Sequence, residues 1–104
     1  MSNQPISEQY RIAALEWVDL DNAARMLEET KDVQLSQLVQ AMGDVPVAHA
    51  ERDVKASEGW AEFIKAKVEA RTKANKAKCR LTYITMRHSE QQSMEASKRA
   101  EMRL

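Results

Sequence analysis

A chain of 104 residues has room for one domain with a modest core. Two glycines, 5% aromatic residues and 31% charged residues argue against a sheet protein and for long helices or coiled coils. Net charge is zero at pH 7, and no apolar run approaches the roughly 18 residues of a membrane span, so no membrane partner is expected.

The zero net charge hides an asymmetry. Residues 1–56 carry five basic and ten acidic groups, whereas residues 57–104 carry eleven basic and six acidic. Two halves of opposite sign attract, as in an intramolecular hairpin or a head-to-tail pair of subunits. The N-terminal MSNQPISEQY lacks the basic flank and apolar core of a signal peptide. The lone Cys79 cannot form an internal disulfide, which suits a reducing compartment. A cytoplasmic location is expected.

Residues 1–6 read as a polar tail. Ser7 is a candidate N-cap, with Glu8 placed to suit the helix dipole. Tyr10, Ala13, Trp17, Leu20, Ala24 and Leu27 then recur at spacings of three and four, which predicts a helix over 7–30 with a heptad seam. Ile12, Leu15, Val18 and Ala23 widen that stripe as in a bundle. At Thr30-Lys31-Asp32 the phase slips. Either the helix kinks and runs on, or a short helix over 32–42 begins with Asp32 as its cap. Gly43 suits the residue after a helix end, and Gly43-Asp44-Val45-Pro46 marks a turn over 43–47. His49–Val54 reads as a short helix or as the approach to the next one.

Ser57 opens the longest element, a helix over 57–104 with no proline inside it. Trp60, Phe63, Lys67, Ala70, Ala74, Ala77, Leu81, Ile84 and His88 keep heptad spacing, and the alanines in the middle permit close approach by a neighbour. Ile64, Val68, Cys79, Tyr83 and Met86 read as broadening the same face. At about 1.5 Å per residue this helix would reach roughly 70 Å against about 36 Å for the first, so a fold-back covers about half of it. The expected fold is all-α: a single-domain antiparallel helical hairpin, coiled-coil-like, with a very long C-terminal helix and oligomers formed through it.

Chemistry is sparse. No acidic residue falls between Ala70 and Ser89, and Arg71, Lys73, Lys76, Lys78, Arg80 and Arg87 form a basic block. Such a block would hold DNA by phosphate neutralisation without base readout. At 100° per residue, however, Arg71, Lys78 and Arg80 do not share a face with Lys73 and Lys76, so pairing with the acidic first helix competes. Cys79 between two cations is a small hydrophobe on the flank of the apolar face. His49 and His88 are too isolated for a metal site, and no phosphate loop, nucleophile elbow or Cys-x-x-Cys is present. No cofactor, small-molecule substrate or enzymatic activity is expected. Trp17 and Trp60 occupy seams and could face each other. The residues left for a protein partner are those a fold-back cannot cover: Arg87, Glu90, Met94, Arg99 and Arg103. The core or oligomer seam is expected at Trp17, Leu20, Leu27, Trp60, Phe63, Leu81 and Ile84.

The turn carries Gly43-Asp44-Val45, unlike the secreted helical hairpins that place Trp-x-Gly there. Trp60-Ala61-Glu62-Phe63, Tyr83-Ile84-Thr85-Met86-Arg87 and the final Arg99-Ala100-Glu101-Met102-Arg103-Leu104 resemble small helical proteins of tailed phages and prophages. The resemblance covers about half of the chain. It implies a phage setting among recombination and replication genes and an accessory role in the host cytoplasm. It supplies no catalytic residues.

Overall fold

Four helices and no strands make up residues 4–103, the part of the chain described by the computed structural model. Of the expected tail over 1–6, residues 1–3 lie outside the described residues, as does Leu104 at the end of the helix expected over 57–104, and Ile6, expected in the tail, begins α1. The helices are α1 (Ile6–Glu29), α2 (Lys31–Ala41), α3 (Val47–Lys55) and α4 (Glu58–Met102).

Local chemistry sets most of the boundaries. The carbonyl of Pro5 accepts the Glu8 and Gln9 amides at 3.0 and 3.1 Å, so Pro5 and not Ser7 stands at the start of α1. α1 ends at Thr30, whose backbone leaves the helical range at φ −91° and ψ 0°, while its hydroxyl and its amide both donate to the Met26 carbonyl, at 2.7 and 3.1 Å. The phase slip is thus a one-residue break. Thr30, not Asp32, holds the cap position of a separate α2. Gly43 takes φ +76°, the left-handed conformation that releases the chain into its turn. That turn is shorter than expected, since α3 begins at Val47. The Ser57 hydroxyl accepts the Trp60 amide at 3.3 Å and donates to the Val54 carbonyl at 2.6 Å, so it caps α4 and fixes α3 to it.

α1 folds back antiparallel along α4, and this pair holds most of the packing. Glu28 lies beside Arg71, Glu16 beside Arg80, and Ile6 beside Ile84 and His88. The contact line is alanine. Ala24 and Ala74 have no exposed surface, and Ala77 and Ala13 are buried. Among the seam residues, Trp60 is buried, while Trp17, Leu20, Leu27, Phe63, Leu81 and Ile84 are half-buried. They line the edges of a contact too narrow to enclose them. α2 and α3 pack on each other, and α3 packs on the start of α4, with Ala50 and Val54 buried there.

The outcome is a rod of 84 × 21 × 19 Å. Its radius of gyration is 23.2 Å, where a compact domain of this length has about 13 Å. α1 begins opposite His88, so the last three turns and more of α4 are not covered by any described helix. Every described residue from Ser89 onward is exposed.

Several residues expected on the apolar face turn outward. Ile12, Leu15 and Val18 are 44%, 53% and 42% exposed, and Ala23 is exposed as well. Spacing placed them within reach of a broad bundle core, but a two-helix contact buries a narrower stripe.

Candidate interaction surfaces

The basic block does not form one surface. The Arg71 guanidinium crosses to α1 and donates to both Glu28 oxygens at 2.8 and 2.7 Å and to Asp21 at 2.6 Å. Arg80 donates to Glu16 at 2.6 Å in a more exposed pair, and Lys78 lies 5.3 Å from the centre of the Trp17 ring. Asp21 also holds Arg25 at 3.1 Å. Part of the charge asymmetry between the two halves therefore clamps the hairpin. By helical geometry Arg71 and Lys78 lie on one flank of the seam and Arg80 on the other, beside Lys73. Arg80, read from spacing as apart from Lys73 and Lys76, shares their side.

Lys73 and Lys76 are exposed and form no ion pair with any described residue. Arg87 lies over its own neighbour Tyr83, 5.8 Å from the ring centre. These three are the members of the block still available to an anion.

The clamp has a pH signature. Hydrogen bonds from Arg71 hold the Glu28 and Asp21 carboxyls below their ordinary range, against a smaller opposing effect of desolvation. The same bonds, Glu28 first and Asp21 second, raise the Arg71 guanidinium. A carboxyl depressed in the folded state adds stability above its unfolded value and loses it as pH falls through the folded one. The thermal midpoint should accordingly drop as the pH is taken from 7 to below about 4. In Arg71→Met that acid-dependent part should shrink. Circular-dichroism melts at pH 7, 5 and 3 measure it, and parallel curves for the two proteins would contradict the clamp.

The expected partner residues Arg87, Glu90, Met94, Arg99 and Arg103 are all exposed. All but Arg87 lie on the uncovered end of α4. Met94 and Met102 there are 63% and 86% exposed. The two tryptophans do not meet: Trp17 sits under Lys78, whereas Trp60 stacks on Phe63 with ring centres 5.5 Å apart.

Cys79 is exposed, as are Val68, Tyr83 and Met86, so only Ile64 of the expected flanking line is even half-buried. These residues do not broaden the α1-facing side. They belong to a second line, Val68, Thr72, Asn75, Cys79, Thr82 and Met86, spaced by four and three and free of charge. Each member is exposed, and the line runs along the side of α4 away from the buried Ala74 and Ala77. A shallow groove of about 480 Å³ lies on it, bordered by Asn75, Lys78, Cys79, Thr82, Tyr83 and Met86. The spacing was present in the sequence. Its polar composition concealed it as a seam.

Among the described residues no group of His, Cys, Asp and Glu could hold a metal ion, and no helix is long and apolar enough to cross a membrane. No protein-family model, curated protein or solved structure matches the chain.

Proposed function

We propose that this chain is a non-catalytic helical binding module that acts by contact with another protein through the uncovered end of α4. The observation that carries this reading is the exposure of every described residue from Ser89 onward, methionines included, on a helix held out by the hairpin behind it. Met side chains adapt to irregular partner surfaces, and Arg87, Glu90, Met94, Arg99 and Arg103 supply mixed charge around them. The rod encloses no large side chain fully, and such an open surface suits docking better than chemistry that needs water excluded. Taken with the phage resemblance, the partner is a DNA-processing enzyme or a host defence factor in the host cytoplasm.

A second reading, sequence-independent DNA contact, is favoured by the free Lys73 and Lys76. Counterion release separates the two. Labelled single- and double-stranded oligonucleotides titrated at about 50 and 200 mM salt should show no tight complex. Capture of a host protein should be lost in Met94→Glu/Arg99→Glu and kept in Ile12→Glu, an exposed control on α1. Tight, steeply salt-dependent oligonucleotide binding that Lys73→Glu/Lys76→Glu abolishes would replace the protein-partner reading with the DNA one.

A further inference from the structure

The uncharged line on the outer side of α4 does not stop where α1 stops. From Met86 it continues at the same spacing through Ser89, Ser93, Ala96 and Ala100, so ten positions from Val68 to Ala100 form one heptad line without a charge. The seam that packs on α1 behaves differently: past His88 its continuation falls on Gln91, Glu95 and Lys98. The intramolecular seam ends at His88 and the outer one carries on. We propose that the outer line is the interface for a second copy of this chain, with the two α4 helices antiparallel and centred near residue 84.

Charge selects both the direction and the register. In a parallel pair, Arg71 would face Lys76 of the partner copy, twice by symmetry, with no pair of opposite charge to offset it. Antiparallel, flanking positions meet their own kind, and each heptad shift gives a distinct set of neighbours. A centre one half-heptad earlier, near 80, sets Glu69 against the partner's Glu90, and a centre near 77 sets Lys76 and Lys78 each against its own copy. A centre near 87 brings Lys78 to the partner's Arg99. The centre near 84 instead places Lys76 beside the partner's Glu90, twice by symmetry, and Tyr83 beside its own copy. Its one like-charge cost sets Arg99 against the partner's Arg71, whose charge Asp21 and Glu28 already hold at 2.6 and 2.7 Å.

This arrangement accounts for the projecting end. About 33 residues of each α4, roughly 50 Å, would be paired, and residues 89–100 of one copy would lie on 68–79 of the other. Val68, Tyr83 and Met86, between 56% and 59% exposed in the single chain, come under cover. α1 stays where it is, because it occupies the opposite side of α4. Thr72, Asn75, Thr82 and Ser89 make the interface weak and reversible, and polar groups at such positions favour one register over its neighbours. The dimer shares Glu90 and Arg99 with the protein-partner reading, whereas Arg87 and Met94 lie about a quarter turn away from the line and stay open in it.

Sedimentation equilibrium on the full chain should show a monomer–dimer equilibrium. Lys76→Glu should weaken it roughly tenfold by replacing two attractive neighbours with two repulsive ones, with helical content unchanged because Lys76 has no partner in the hairpin. Lys76→Glu/Glu90→Lys should restore it. A spin label on Lys98→Cys in a Cys79→Ser background should report an axial separation of about 42 Å. A monomer at every concentration, failure of the double swap to rescue, or labels close together would each overturn the proposal.

Discussion

An Ala74→Leu variant should lose about 1–3 kcal/mol of stability, the usual cost of forcing extra methylenes into a filled contact. For a chain of about 100 residues, each kcal/mol corresponds to roughly 4–8 °C in the thermal midpoint. Ala74 and Ala24 have no exposed surface, and Ala77 and Ala13 have next to none. Nothing larger than a methyl group separates the two helix backbones at these positions. Leucine matches alanine closely in helix propensity, so α4 itself would not be weakened. The loss would come from prising α1 away, and with it the Arg71 reach to Asp21 and Glu28, now 2.6 to 2.7 Å. Lys65→Leu is the control, exposed on the same helix and outside both contact lines, and should stay within about 0.5 kcal/mol. Urea midpoints followed by circular dichroism compare the two. Equal midpoints would mean that the alanine line is not the contact.

The same alanine line explains how much could be read in advance. The hairpin, its antiparallel sense and the excess length of α4 all follow from the 3,4 spacing and from helix lengths, and both are present in the sequence. The break at Thr30 was visible as a phase slip. Its position lies in the Thr30 backbone, at φ −91° and ψ 0°, which periodicity does not encode. Faces were harder. Alanine-rich helices show weak amphipathicity, so Ile12, Leu15, Val68 and Met86 looked like core when they are surface. A seam of Ala13, Ala24, Ala74 and Ala77 leaves large side chains at its margins, and their apolar character overstates how much one partner helix can cover. The basic block posed the same difficulty in another form. Spacing separated its members by face, but only the packed structure shows Arg71 and Arg80 committed to α1 carboxylates and Lys73 and Lys76 left over.

Trp60→Ala should be the most costly single truncation, at about 3 kcal/mol, the lower end of the range for a buried tryptophan because 7% of it already meets solvent. Its consequences should be unevenly distributed along the rod. Trp60 sits at the end where α3 meets α4, stacked on Phe63, with Ala50 and Val54 as the other well-buried side chains nearby. α3 has nine residues and α2 has eleven, and α2 buries no residue at all. Isolated helices of that length are marginal in water, so both depend on this small cluster for their order. Without the indole, α3 has little left to dock on except the Ser57 bonds to Val54 and Trp60, the second of which is backbone at residue 60 and survives the substitution. Hydrogen exchange should therefore quicken most for amides in 47–55 and 31–41. The α1–α4 contact between about Ala13 and Leu27 should change much less, being held by its own alanine line and by the Arg71 and Arg80 clamps. Uniform loss of protection across all four helices would show instead that the rod unfolds as one cooperative unit, with the α2–α3 end and the hairpin inseparable.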